Sequence, residues 1–112
     1  MIEEIVIQYL NEHLDVPTFG EEQEDDIATY VVVDKTGGYE ENYIAYGTVA
    51  IQSYAETKYM ASQLNEEVKR TMRNIIELGS VSKVELNSDY NYTDTTKKKY
   101  RYQAVFNLVY FI

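Results

Sequence analysis

A helical pattern runs through residues 53–78, SYAETKYMASQLNEEVKRTMRNIIEL. Side chains suited to one buried helix face recur there every three or four residues, at Met60, Leu64, Val68, Thr71, Ile75 and Leu78. Ser53 and Glu56 have the spacing of a capping box, and Gly79 supplies a left-handed helix end. The sequence therefore predicts one long helix that separates two strand-rich stretches.

The stretch before this helix predicts a hairpin. Residues 28–34 are β-branched and aromatic and too few for a helix, so we expect a strand covered on both faces. Lys35-Thr36-Gly37-Gly38 is predicted to turn the chain, because paired glycines adopt positive φ without steric cost. The returning strand is expected from Tyr43 to about Gln52.

The stretch after the helix predicts a second hairpin. Val84, Leu86, Tyr90 and Tyr92 alternate with polar residues, which is the period-two pattern of a half-buried strand. Residues 94–99 form a polar turn, and the even positions from 100 to 112 then place apolar or aromatic side chains on one face of a long last strand.

The chain begins with an amphipathic pattern from Met1 to Leu14, which Pro17 is expected to end. The predicted order is α-β-β-α-β-β. The 112 residues fit one domain. The sequence thus predicts a single α+β domain over residues 1–112, with a four-stranded, mainly antiparallel sheet and two helices packed on one face.

Charge is distributed very unevenly along this chain of net charge -9. The first 34 residues carry ten acidic side chains and no Lys or Arg, whereas the remainder is slightly basic. Such a field disfavours general binding to phosphate backbones or anionic lipid. It favours a molecule with two unlike faces and no specific nucleic-acid or membrane partner.

Composition limits the class of protein further. The absence of cysteine excludes disulfides and thiolate ligands and suits a reducing compartment. A leader-like start and an apolar run of about 18 residues are both absent, which supports neither secretion nor membrane spanning. Twelve tyrosines and no tryptophan indicate a chain rich in contact surface, since Tyr offers a large ring and a polar tip.

One candidate interaction site is the acidic cluster between residues 20 and 27, which comprises Glu21, Glu22, Glu24, Asp25 and Asp26. Carboxylates could bind Ca²⁺ or Mg²⁺, but the alternate-residue spacing and the bidentate Glu of a calcium loop are missing. We therefore expect a solvated loop and no metal.

The second candidate site is the only basic and aromatic patch. Lys97, Lys98, Lys99 and Arg101 lie close in sequence to Tyr90, Tyr92 and Tyr100. Three interpretations remain open: a weak single-strand nucleic-acid site, a cationic cluster that keeps an apolar strand soluble, or a docking site for an acidic neighbour such as another copy's acidic loop.

No residue pattern predicts catalysis. His13, the only histidine, is expected on the surface at the end of the first helix, because Glu12 and Asp15 do not face it on a helix. Gly37-Gly38 lacks the further glycine and the following helix of a phosphate cradle. We expect a non-enzymatic protein without a cofactor.

The predicted layout resembles the tail terminator, or tail completion, proteins of long-tailed bacteriophages. The matching features are the leading amphipathic helix, the strand and turn of residues 30–38, a strand that runs into the long helix of residues 53–78, and a closing hairpin that ends near Tyr110. The resemblance is one of pattern and length and spans nearly the whole chain.

The resemblance implies a structural virion protein that is made in the host cytoplasm. Such proteins form a hexameric ring that caps the tail tube and offers a surface to the head connector. An acidic segment that lined the channel of such a ring would let DNA pass without sticking. The alternatives from the residues themselves are a small acidic DNA mimic that binds a host protein, and a regulatory adaptor with a ligand groove between sheet and helices.

Overall fold

The computed structural model describes residues 1–24, 26–97 and 99–112, so that Asp25 and Lys98 lie outside the described residues. Within the described residues, two α-helices, five strands and one 3₁₀ helix follow one another: α1 Ile2–His13, β1 Thr18–Phe19, β2 Tyr30–Glu41, β3 Ile44–Ala55, α2 Lys58–Met72, the 3₁₀ helix Ile75–Leu78, β4 Val81–Asn91 and β5 Tyr100–Phe111.

The described strands form one five-stranded sheet in the order β1-β2-β3-β5-β4. Three neighbouring pairs are antiparallel and β1 pairs with β2 in parallel. The α+β class is confirmed. The prediction of a four-stranded, mainly antiparallel sheet in the order α-β-β-α-β-β was wrong, because a short strand precedes the two hairpins and makes the sheet mixed.

Tertiary contacts create β1, and this explains why the sequence pattern missed it. The Asn11 side chain accepts a hydrogen bond from the Thr18 N–H at 2.8 Å and donates one to the Thr18 carbonyl at 3.1 Å. The Val31 N–H donates to the Pro17 carbonyl at 2.9 Å. A strand of two residues cannot show a period-two pattern, so its pairing depends entirely on these contacts.

The hairpin of β2 and β3 turns later than predicted. Glu41 pairs with Ile44, and the two residues between them, Asn42 and Tyr43, have φ values of 52° and 66°. Gly37 and Gly38 lie inside β2, beside a β-bulge at which the register shifts between Lys35 and Gly37. The predicted turn at residues 35–38 was therefore wrong, and its glycines serve a strand interior.

Gly38 is required by the closeness of the neighbouring strand. A Cβ atom at Gly38 would lie 2.5 Å from the Tyr46 carbonyl oxygen, and the residue has a φ of 159°. At Gly37 no atom would lie within 4 Å of an added Cβ. The two adjacent glycines therefore differ in their tolerance of a side chain.

We expect Gly38→Ala to lower the free energy of unfolding by about 1–3 kcal/mol, because the methyl group forces β2 and β3 apart. Gly37→Ala is the matched control and is expected to change it by no more than about 0.5 kcal/mol. Urea unfolding followed by circular dichroism measures both values. Equal effects of the two substitutions would contradict the steric explanation.

Helix α2 is shorter than predicted and begins at a different cap. Thr57 is its N-cap, with a side chain that accepts a hydrogen bond from the Met60 N–H at 3.1 Å. Ser53 lies buried within β3, so the predicted capping box was wrong. Strand β3 continues through residues 53–55, which leaves Ser53 unable to start a helix.

The buried face of α2 is rotated relative to the predicted stripe. Leu64, Val68 and, after the helix, Ile75 are buried as expected. Met60 and Leu78 are each 42% exposed. The residues that replace them against the sheet are Ala61, Asn65 and Met72. Gly79, with a φ of 77°, ends the 3₁₀ helix that follows α2.

The main core lies between the two helices and one face of the sheet. Helix α1 contributes Val6 and Leu10, and the sheet contributes side chains such as Val33 and Phe106, all at most 1% exposed. Helix α1 and the even-numbered face of β5 are thus close to their predicted positions. The opposite sheet face, which we call the open face, carries a second buried cluster of Tyr30, Val32 and Tyr54. This confirms that residues 30–33 are covered on both sides.

Candidate interaction surfaces

The acidic loop between β1 and β2 lies against the chain's own basic turn. The Lys99 ammonium lies 3.1 Å from a Glu22 carboxylate oxygen and donates a hydrogen bond to the Gln23 carbonyl, also at 3.1 Å. The two predicted interaction clusters are therefore brought together within one molecule. Sequence reasoning had treated them as separate sites.

An open cleft of about 510 Å³ lies where the two clusters meet and is lined by Glu22, Gln23, Glu24, Lys97 and Lys99. Glu21 and Asp26 are exposed, whereas Asp25 and Lys98 lie outside the described residues. Two carboxylates and two ammonium groups line this cleft. It therefore presents mixed charge and lacks the continuous basic surface that binding to phosphate backbones requires.

Arg101, the fourth predicted basic site residue, is engaged in contacts within the chain. Its guanidinium lies between two tyrosine rings, 4.4 Å from the centre of Tyr92 and 5.6 Å from the centre of Tyr54. It also donates to the Tyr92 carbonyl at 2.6 Å and to the Tyr54 hydroxyl at 2.8 Å. These contacts join the end of β4 to β3 across β5, so Arg101 connects three strands of the sheet.

The open face continues from Arg101 as a row of uncharged polar side chains. The Tyr54 hydroxyl donates to Gln52, Gln52 donates to Gln103 at 2.8 Å, and Gln103 donates to the Tyr90 hydroxyl. This chain of hydrogen bonds crosses three strands. It satisfies the amide groups of a face on which neither helix packs.

His13 lies at the end of α1, as predicted, but has a partner that the sequence did not indicate. Its Nδ1 lies 2.8 Å from the Tyr9 carbonyl oxygen and its Nε2 lies 3.6 Å from a Glu77 carboxylate oxygen. The Tyr9 hydroxyl donates to the same carboxylate at 3.1 Å. Glu77 belongs to the 3₁₀ helix, so the cluster joins α1 to the segment that follows α2.

Within residues 1–24, 26–97 and 99–112, no group of three or more His, Asp or Glu residues could hold a metal ion. No helix in this part of the chain combines the length and apolar character needed to cross a membrane. The conspicuous features that remain are surfaces and strand edges.

Two unpaired strand edges lie at opposite sides of the sheet. Strand β1 pairs with β2 only at Val31 and Val32. Among the described residues, β2 has no strand partner on its outer side from Asp34 to Glu41, where the Lys35 N–H donates to a Glu3 carboxylate oxygen of α1 at 3.1 Å. Strand β4 is the other end of the sheet and pairs only with β5. Sequence reasoning missed both edges, since edges depend on strand order.

Both free edges lie at the same level of the sheet. The row of paired residues that starts at Asp34 crosses β3 and β5 and ends at Ser88 on β4. The row that starts at Glu41 ends beside Ser80, whose carbonyl accepts the Phe111 N–H. We call this half of the sheet, which includes the β2–β3 turn, the tip half, and the half with the β4–β5 turn the base half.

The tip half carries several exposed apolar and aromatic side chains. Tyr39, Tyr43, Phe111 and Ile112 are all more than half exposed, and Leu86 on β4 is 39% exposed. The Tyr39 ring stacks on Tyr46 at 4.6 Å between ring centres. Exposed apolar groups clustered beside unpaired edges are typical of contact surfaces between proteins.

No protein-family model matches this chain, and a comparison with curated proteins finds no significant relative, so the geometry of these surfaces and edges carries the functional argument.

Proposed function

We propose that this chain is a structural protein that assembles into a ring and acts as a tail terminator of a long-tailed bacteriophage. The observation that carries the proposal is the pair of unlike free edges, β2 and β4, at one level and on opposite sides of the sheet. A contact between two different surfaces of identical subunits generates a ring when the rotation closes.

The strand directions favour this contact. Strands β2 and β5 run toward the tip, whereas β3 and β4 run toward the base, because each neighbouring pair among these four is antiparallel. When β4 of one copy meets β2 of the next in the same orientation, the new pair is also antiparallel. The alternation of strand directions therefore continues from copy to copy without interruption.

Strand β1 limits where the contact forms. It occupies the outer side of β2 only at Val31 and Val32, in the base half. The Glu3 carboxylate already accepts the Lys35 N–H, so the neighbouring β4 is expected to pair with residues 36–41. A pairing of this length supplies main-chain hydrogen bonds, and exposed apolar residues such as Leu86 are buried beside it.

Ring closure assigns roles to the two faces of the sheet. The helices need more room than the bare sheet, so they belong on the outside, and the open face lines the channel. Six copies, as the resemblance implies, would contribute roughly 24 long strands spaced about 4.8 Å apart, a circumference of about 115 Å. Such a barrel is wide enough for duplex DNA.

The lining is suited to a passage that does not bind its contents. The middle of the open face carries amide and hydroxyl groups such as Gln52, Gln103 and Thr48. The acidic loop contacts the same face near Tyr30, where the Tyr30 hydroxyl donates to the Gln23 carbonyl at 3.3 Å. Carboxylates at the base end of the channel would repel the phosphates of DNA.

A single substitution at the β4 edge tests this assembly. We expect Leu86→Lys to weaken self-association at least tenfold, because a lysine placed on an edge strand blocks pairing with another strand. Met60→Lys is the matched control, since Met60 is similarly exposed but lies on the first turn of α2. Sedimentation equilibrium measures the association of each variant, and circular dichroism checks that both fold.

A second experiment complements the sedimentation measurement, because a tail terminator could remain a monomer until it meets the tail tube. The wild-type chain is mixed with tail tubes from the same virus and examined by negative-stain microscopy. Rings on tube ends with the wild type and Met60→Lys, but not with Leu86→Lys, support the proposal. A wild-type chain that stays monomeric in both experiments would contradict it and favour the acidic mimic instead.

A further inference from the structure

The turn at the tip of the β2–β3 hairpin holds a tyrosine in an unfavourable conformation. Tyr43 has a φ of 66° at the second position of a two-residue turn, where glycine is strongly preferred. Its side chain is 87% exposed, so packing within the chain does not compensate for the strained backbone. An exposed aromatic residue kept at such a position points to a contact outside the chain.

Two carboxylates without partners precede this tyrosine. Glu40 and Glu41 are exposed, and neither forms an ion pair within the part of the chain that the structure describes. The tip therefore presents two negative charges beside a protruding aromatic ring. A surface complementary to it needs unpaired cations and an exposed apolar group.

The chain carries such a surface on the outer side of α2. Arg70 and Arg73 are exposed and form no ion pair among the described residues. Ile76, at the start of the 3₁₀ helix, is 50% exposed. We call these three residues the α2 receptor surface.

The α2 receptor surface lies on the β4 side of the sheet. Lys69 reaches Asp89 on β4 at 3.2 Å, and Arg73 follows Lys69 by about one helical turn, so it lies on the same flank. The 3₁₀ helix that contains Ile76 packs against β4 and leads directly into the tip end of that strand.

We propose that the hairpin tip of one copy docks on the α2 receptor surface of the next copy, with Glu40 on the helix side of β2 facing Arg70 and Arg73, Glu41 adding to the negative charge of the tip, and Tyr43 against Ile76. The inference rests on the proposed ring. When β2 of one copy pairs with β4 of its neighbour in the same orientation, the tip of β2 arrives beside the 3₁₀ helix that precedes β4. The charges and the position of the α2 receptor surface therefore both favour a second copy of this chain as the molecule that binds there.

Charge exchange tests the docking. Glu40→Lys with Glu41→Lys, and separately Arg70→Glu with Arg73→Glu, are each expected to weaken self-association at least tenfold. In a mixture of the two double variants, the reversed tip of one variant can meet the reversed receptor surface of the other. The quadruple variant has this reversed charge pair at every contact. Association is expected to return to within about threefold of the wild type. The matched control is Glu21→Lys with Asp26→Lys, the same charge change on exposed residues of the loop between β1 and β2, away from the tip.

The outcomes separate this docking from the ring itself. Association that is equally strong in all charge variants would overturn the docking and leave the β2–β4 pairing intact. Weakening in both double variants without rescue in the quadruple variant would also overturn it. A wild-type chain that does not associate, alone or on tail tubes, would overturn the proposed function and the docking with it.

Substitution of Tyr43 is expected to change the stability of the monomer and the strength of association in opposite directions. Tyr43→Gly relieves the strained φ and is expected to raise the unfolding midpoint of the monomer while it weakens association at least fivefold. Asn42→Gly is the control, because it relaxes the neighbouring φ of 52° and keeps the aromatic side chain of Tyr43. It is expected to raise the midpoint and leave association unchanged. Unchanged association in Tyr43→Gly would overturn the anchoring role of Tyr43.

Discussion

Arg101→Ala is expected to lower the free energy of unfolding by about 3.5–5 kcal/mol. The substitution removes two charge-assisted hydrogen bonds, to the Tyr92 carbonyl and the Tyr54 hydroxyl, each worth about 1.5–3 kcal/mol when intact. It also removes the cation from between two rings, which contributes about 0.5–2 kcal/mol. The upper part of the combined range is not reached because Tyr54 can still bind Gln52.

Two variants identify the cause of this loss. Arg101→Lys keeps the charge but not the planar fork, so it is expected to recover less than half of the lost stability. Lys97→Ala removes an exposed cation from the turn that precedes β5 and is expected to change stability by no more than about 0.5 kcal/mol. Chemical denaturation measures all three. Equal losses in Arg101→Ala and Lys97→Ala would mean that positive charge alone matters.

Raising the pH above about 10 is expected to lower the free energy of unfolding, because several groups hold their protons more tightly in the folded chain. Burial is the main cause that raises the pKa of the Tyr9, Tyr30 and Tyr54 hydroxyls above their usual value of 10.0. The Glu66 carboxylate is the main cause that raises the pKa of Lys69 above 10.5, with Asp89 adding to it.

The sign of the pH effect follows from these directions. Between the unfolded and the folded pKa of each group, the unfolded chain binds fewer protons than the folded chain, so stability falls as pH rises. The contribution is fully present below about pH 10 and is lost as the pH passes through the raised values. All four groups act in the same direction, which makes the transition steep.

Circular dichroism of the unfolding transition between pH 8 and pH 12 tests this prediction. Tyr54→Phe keeps the ring that stacks on Tyr30 at 4.5 Å but removes one titrating hydroxyl. The pH dependence of this variant is expected to be shallower than that of the wild type. Stability that stays constant up to pH 12 would contradict the assignment of these pKa shifts.

The candidate sites show where reasoning from sequence stops. The acidic loop and the basic turn were recognised as surface features from their composition. Their contact through Glu22 and Lys99 was not, because the two residues are far apart in sequence and meet only after β1, β2 and β5 are in place. The same holds for Arg101, whose tyrosine partners lie on β3 and at the end of β4.

The hairpin of β2 and β3 shows how local turn chemistry can mislead. Gly37-Gly38 has the composition of a turn, and Asn42-Tyr43 carries a bulky residue where glycine is expected. The register is set by buried residues such as Val33 and Ile51, which pair in the core and direct the chain past the glycines. Core packing outweighed the preference of the turn residues, so the hairpin extends to residues 42–43.

The sequence by itself determined the α+β class, both helices, the alternating faces of β5 and the concentration of negative charge in the first third of the chain. Each of these depends on neighbours within a few residues, through helical or strand periodicity or through simple composition. Only the tertiary structure decided the parallel pairing of β1, the length of the β2–β3 hairpin and the two free edges in the tip half. These features depend on which strands lie side by side, and that choice is made by contacts between residues far apart in the chain.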